Sequence, residues 1–104
     1  MDYITPVIEI VKSSRFDRWL KALKDGRARA RIEARILRLS MGNPGDVKPV
    51  GGGVSELRID HGPGYRVYYL QRGNVLIVLL CGGDKPSQAG DVRAAMKIAM
   101  EWKD

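Results

Sequence analysis

The chain has 104 residues, with 18 Lys and Arg against 12 Asp and Glu, which gives a formal net charge of +6. A chain of this length supports one compact domain, which we place at residues 1–104. The single cysteine and the single histidine exclude a disulfide framework and most metal clusters, so we expect neither a metal nor a cofactor. The pI near 9.8 favours polyanionic partners such as nucleic acid, a ribonucleoprotein surface or an acidic protein segment.

The N-terminal residues 1–6 lack the basic and apolar regions of a signal peptide. No stretch approaches the roughly 20 apolar residues that cross a bilayer. We therefore expect a cytoplasmic protein without a membrane segment. Cys81 lies inside the apolar run 75–81, where a thiol is expected to act as a small hydrophobic side chain.

The first predicted elements are a strand and a helix. Residues 3–11 are rich in β-formers, and Pro6 would remove a backbone donor, which predicts an edge-type strand. Ser13 or Ser14 then offers an N-cap, and Asp25-Gly26 is expected to end the helix. The apolar face of this helix consists of Phe16, Trp19, Leu20 and Leu23.

A second helix is predicted from about Arg27 to Met41, and forms a helical hairpin with the first. Its buried stripe consists of Ala28, Ile32, Ile36 and Leu39. At 100° per residue, a basic ridge falls beside that stripe and faces solvent. The ridge consists of Arg27, Arg31, Arg35 and Arg38. Such a ridge is either a solvated face or a surface that binds RNA or the ribosome. Residues 12–38 carry a net charge of +7 and the remainder −1.

Residues 42–53 contain five glycines and two prolines and are predicted to form a long mobile loop, with the glycine triplet 51–53 as a hinge. Three strands are predicted at 54–60, 65–71 and 75–81, the last covered on both faces. A final helix is predicted to begin near Ser87, with Trp102 near its end. Its buried face consists of Val92, Ala95, Met96 and Ala99. The order β-α-α-β-β-β-α predicts an α+β fold with a mainly antiparallel four-stranded sheet packed by helices.

A cationic patch is predicted on this sheet. Alternation places Arg58 and Arg66 on the face away from the apolar side chains, on strands joined by a short turn. They should therefore be neighbours. Tyr68 lies one pleat along on the same face, Lys85 follows the last strand, and His61 lies in the connecting turn.

Such a patch suits metal-independent RNA cleavage, in which a 2′-hydroxyl attacks the neighbouring phosphate and arginines stabilise the developing charge. His61 or Tyr68 would be the base and Lys85 the acid, and a tyrosine could instead stack on an exposed base. Plainer roles also fit the residues. Arg58 could form a surface ion pair with Glu56 or Asp60, His61 could be an exposed turn residue, and Glu56 could orient Arg58 or Arg66.

Three segments carry a resemblance to a known family: Val54-Ser55-Glu56-Leu57-Arg58-Ile59, Gly64-Tyr65-Arg66-Val67-Tyr68-Tyr69 and Leu79-Leu80-Cys81-Gly82-Gly83-Asp84-Lys85. They look like the RelE/ParE toxin superfamily, and most like its phage-derived, HigB-like "addiction module killer protein" branch. The resemblance covers nearly the whole chain and implies a RelE-like, microbial RNase-type fold. It also implies a toxin of a type II toxin-antitoxin module. The RelE and HigB branches cut mRNA at the ribosome, and the ParE branch inhibits DNA gyrase.

The resemblance also implies roles for individual residues. Arg66, in the Gly-Tyr-Arg segment, becomes the best candidate for phosphate stabilisation, and Arg58 and Lys85 fall where RelE-like members carry basic residues. We expect a ribosome-associated mRNA endonuclease that inhibits translation. Its expected antitoxin is a helix-turn-helix protein encoded next to it. The alternatives are a gyrase inhibitor and a noncatalytic nucleic-acid or protein binding module that uses the basic ridge.

Overall fold

The computed structural model describes residues 7–103, so Pro6 and the start of the predicted first strand lie outside the described residues. The chain forms five strands and three helices over these residues. Their bounds are β1 (Glu9–Lys12), α1 (Ser14–Ala22), α2 (Gly26–Ser40), β2 (Val47–Gly51), β3 (Val54–Ile59), β4 (Tyr65–Arg72), β5 (Leu76–Gly83) and α3 (Gln88–Glu101). The predicted α+β class is confirmed, and the predicted element order lacks only β2.

The strands form a single mixed sheet in the order β1-β5-β4-β3-β2. β1 runs parallel to β5, and every other neighbouring pair is antiparallel. The predicted four-stranded sheet is therefore wrong by one strand. β1 lies at one edge, as its sequence predicts.

The extra strand lies in the segment predicted to be a mobile loop. β2 pairs with β3 across a glycine turn, and Pro49 is tolerated because an edge strand is paired on one side only. The backbone φ values of Gly51, Gly52 and Gly53 are 104°, 61° and 77°, a region that residues with a Cβ atom rarely adopt. The glycine triplet is thus the turn of a β-hairpin, and the hinge interpretation is wrong.

The boundary between α1 and α2 also differs from the prediction. Ser13 is the N-cap of α1, and its Oγ accepts a hydrogen bond from the Phe16 N–H at 3.0 Å. Asp25 does not end that helix; its carboxylate accepts hydrogen bonds from the N–H groups of Arg27 and Ala28 and caps the start of α2. The predicted buried stripe of α2 is confirmed, because Ala28, Ile32, Ile36 and Leu39 are all buried.

The sheet separates two apolar clusters. The α1–α2 hairpin covers one face, where Phe16 and Ile32 are fully buried, and α3 covers the other through Ala95. β5 lies between β1 and β4 and is covered on both faces, as predicted. Tyr68 pairs with Cys81 and Tyr69 with Leu79, so Leu80 is an extra residue in β5. Because of this bulge, Leu80 and Cys81 both pack on the α3 side.

Two glycines at the end of β5 allow helices to approach both faces of the strand. A Cβ on Gly82 would overlap the indole ring of Trp19 in α1. A Cβ on Gly83 would overlap the carboxylate of Asp91 in α3. The Gly-Gly pair therefore lets both helices pack closely beside the end of the sheet.

Candidate functional site

The two arginines predicted to be neighbours lie directly opposite each other. Arg58 in β3 and Arg66 in β4 are partners in the antiparallel register. Like charges placed opposite one another in a sheet destabilise it. The pair therefore needs a compensating negative charge nearby.

Glu56 supplies that charge from a fully buried position. Its Oε1 accepts a hydrogen bond from Arg58 Nε at 3.0 Å, and its Oε2 lies 3.7 Å from Arg66 Nε. Oε2 also accepts hydrogen bonds from the Tyr68 hydroxyl at 3.0 Å and from Gln88 Nε2 at 2.8 Å. The carboxylate thus lies where it can orient both arginines, one of the roles that the sequence left open.

The surroundings of Glu56 keep it ionised. Burial by itself would raise the pKa of this carboxyl group. The hydrogen bonds from Arg58, Gln88 and Tyr68, together with the charge of Arg66, outweigh burial and lower the pKa below its ordinary value. The site therefore contains a buried carboxylate beneath two guanidinium groups.

Arg58 and Arg66 line an open groove of about 360 Å³ at the end of the β3–β4 hairpin. The other lining residues are Asp46, Ile59, Asp60 and Gly64. The Arg66 side chain is 12% exposed, and its Nε is buried without a hydrogen-bond partner among residues 7–103. Asp46, Asp60 and the buried Glu56 together outnumber the two arginines, so the attraction for an anion depends on which group lies nearest to it.

Lys85 lies beside this groove. It is exposed, and a Cβ on Gly64 would lie 3.5 Å from the Cβ of Lys85. Since Gly64 lines the groove, the Lys85 side chain starts at its rim. The structure thus places Lys85 near the two arginines.

Tyr68 does not fit the contact roles that its sequence position suggested. Its side chain is fully buried, so it has no exposed face for stacking on a nucleobase. Burial and the neighbouring Glu56 carboxylate raise its pKa, which keeps the hydroxyl protonated as a hydrogen-bond donor. We therefore correct its predicted role as a base: Tyr68 supports Glu56.

His61 connects the β3–β4 loop to the helical hairpin. Its Nε2 lies 3.2 Å from Oδ2 of Asp25, the N-cap of α2. The backbone N–H of Ala28 and then the His61 side chain lower the pKa of Asp25. His61 is therefore a half-buried, partnered side chain, unlike a freely exposed turn residue.

The predicted basic ridge is divided between two tasks. Arg27, Arg31 and Arg38 are exposed, as expected. Arg35 is not part of that exposed surface, because it donates hydrogen bonds to the carbonyl oxygens of Arg58 at 2.5 Å, Pro44 at 2.9 Å and Asp46 at 3.3 Å. At 100° per residue, Arg35 is the ridge residue nearest the buried stripe, which explains why it reaches the sheet.

Sequence reasoning missed two residues that hold the site together. Gln88 carried no signal, since only the packing of α3 places its amide on Glu56. Asp25 did carry one, because an aspartate directly before a helical pattern is a typical N-cap. Within residues 7–103, no group of three His, Cys, Asp or Glu side chains is arranged to hold a metal ion. No helix in that range is long and apolar enough to cross a membrane.

The fold and the site define a small α+β protein in which a mixed sheet presents two arginines above a buried carboxylate. A family model described as "Phage derived protein Gp49-like (DUF891)" matches residues 18–103, and the chain belongs to this family. An uncharacterized protein of Haemophilus influenzae is 52% identical over 94 residues, which cover 90% of this chain and 95% of that protein. The Gp49-like family is a RelE/HigB-like addiction module toxin family. Membership implies a cognate antitoxin as a partner.

Proposed function

We propose that this chain is the toxin of a type II module and cleaves ribosome-bound mRNA without a metal ion, which stops translation. One observation carries the proposal. Arg58 and Arg66 lie opposite each other, next to the same buried carboxylate, and both line an open groove. Glu56 offsets the repulsion between the two arginines and holds them side by side, which would let an anionic phosphate in the groove contact both at once.

The proposed reaction is attack of an RNA 2′-hydroxyl on the adjacent phosphate. Negative charge then develops on the phosphorane oxygens, and Arg58 and Arg66 stabilise it through charge-assisted hydrogen bonds. The 2′-hydroxyl must lose a proton and the leaving 5′-oxygen must gain one. Lys85, at the rim of the groove, is the candidate acid or phosphate contact. His61 is the candidate base; it lies on the loop that carries the groove residues Asp60 and Gly64, and it would have to leave Asp25 to reach the 2′-hydroxyl.

The helical hairpin provides a second surface for the same function. Arg27, Arg31 and Arg38 are exposed along α2 and are proposed to contact ribosomal RNA. The antitoxin, with an acidic or amphipathic segment, would neutralise this surface. Ribosome binding should therefore weaken steeply as the salt concentration rises.

The test is primer extension on mRNA bound to purified ribosomes. Arg66→Ala should reduce the cleavage rate by about 10²- to 10³-fold, because it removes a group that stabilises transition-state charge. Arg93→Ala, an exposed position on α3, is the matched control and should leave the rate unchanged. Intact mRNA with wild-type protein, together with DNA breaks and initially spared translation on induction, would establish the gyrase-inhibitor alternative. Loss of toxicity in the Arg27, Arg31 and Arg38 variants, with Arg66→Ala fully toxic, would establish the binding module.

A further inference from the structure

The buried Glu56 has a specific arrangement of partners. Its two oxygens accept three hydrogen bonds, from β3, β4 and α3, and the fourth neighbour is the buried Arg66 Nε. Tyr68 lies directly opposite Glu56 in the sheet register, and Gln88 is the first residue of α3. The carboxylate is thus fixed by three separate elements.

Both arginines present only part of their guanidinium groups to the groove. Arg58 Nε is engaged by Oε1, and Arg66 Nε is buried on the side of Oε2. The terminal guanidinium nitrogens are therefore the groups left to meet an anion in the groove. Their placement depends on the position of the Glu56 carboxylate.

We propose that Glu56 is a positioning residue, which Tyr68 and Gln88 hold in place and which orients Arg58 and Arg66 toward the phosphate of the substrate. This role rests on the proposed RNA cleavage. The negative charge of Glu56 has two opposite effects. It weakens the attraction of the two arginines for an anion in the ground state, and it fixes the direction in which their N–H groups point. Removing that charge should therefore lower the cleavage rate without weakening the binding of the substrate.

The experiment compares Glu56→Gln with Glu33→Gln, the same chemical change at an exposed position of α2. In single-turnover cleavage of ribosome-bound mRNA, we expect Glu56→Gln to lower the maximal rate by roughly 10- to 100-fold. The half-saturating concentration should not rise, and Glu33→Gln should match the wild type. A purely structural loss would instead lower the folded fraction, which circular dichroism measures on the same samples.

A second readout does not depend on cleavage. The Nε–Hε signals of Arg58 and Arg66 in ¹H–¹⁵N NMR spectra, assigned with the two Arg→Lys variants, report the orientation of each guanidinium group. Glu56→Gln should move both signals, whereas Glu33→Gln should move neither. Gln88→Ala, at the first turn of α3, should move them in the same direction by a smaller amount and serves if Glu56→Gln does not fold.

The outcomes separate the two proposals. If the wild type does not cleave mRNA, the proposed function fails, and the NMR signals still decide the role of Glu56. Unchanged Nε–Hε signals in Glu56→Gln would overturn the positioning role. The same conclusion follows if the cleavage rate falls only in proportion to the folded fraction.

Discussion

The change Tyr68→Phe tests whether the tyrosine hydroxyl supports Glu56 or takes the proton of the substrate. The Tyr68 ring is fully buried between β3, β5 and α3, and phenylalanine fills nearly the same volume, so no cavity is created. The only group lost is the hydroxyl that donates to Glu56 Oε2 at 3.0 Å. That oxygen keeps the hydrogen bond from Gln88 at 2.8 Å and is not left without a donor.

The expected loss of stability follows from these contacts. A hydrogen bond to a charged group contributes about 1.5 to 3 kcal/mol, and the remaining donor places the expected loss near the lower value, about 1.5 kcal/mol. For a domain of this size that corresponds to a decrease in Tm of roughly 6 to 12 °C. Tyr65→Phe, the same change on the opposite face of β4, is the matched control.

Urea denaturation and mRNA cleavage, measured on the same preparation, check the prediction. A tyrosine that took the substrate proton would contribute about 10²- to 10⁴-fold to the rate. We expect a loss below tenfold, because the buried hydroxyl acts through Glu56. A Tyr68→Phe protein of wild-type stability that had lost cleavage by two orders of magnitude would refute the reasoning.

Four further outcomes are expected. Gly82→Ala should cost about 1 to 3 kcal/mol of unfolding free energy, because its methyl group meets the α1 indole ring; thermal melts measure this. Arg35→Ala should destabilise the protein by about 1 to 3 kcal/mol by leaving carbonyl groups without a donor, whereas Arg31→Ala should change stability by less than about 0.5 kcal/mol. The pKa of Glu56 is lowered in the folded protein, so its carboxylate contributes its full stabilisation at pH values above the ordinary glutamate pKa. Stability should therefore fall as the pH drops below that ordinary pKa, and it should fall less steeply in Glu56→Gln. Asp60→Asn should tighten phosphate binding in the groove, as titration calorimetry would detect; unchanged affinity would contradict the groove's charge balance.

Local patterns in the sequence determined much of the molecule. Period-3.6 and period-2 apolar patterns identified the three helices and the strands β3, β4 and β5, because each buries one face or both against the core. Alternation and a short turn also placed Arg58 beside Arg66, because a hairpin register fixes which residues face each other. The segments of β3, β4 and β5 also carried the resemblance to RelE/HigB-like toxins, and the Gp49-like family match supports the assignment at that level.

Tertiary structure alone decided the rest. β2 has little apolar character and exists because it pairs with β3, so its glycine- and proline-rich sequence looked like a loop. Arg35 and Gln88 gained their roles from partners that are 23 and 32 residues away along the chain, Arg58 and Glu56 respectively. Strand alternation predicts that Tyr68 belongs to a cationic patch open to a ligand, but α3 covers this side chain. The burial and the protonation state of a side chain depend on contacts between elements that are distant in the sequence, and a local sequence pattern does not reveal such contacts.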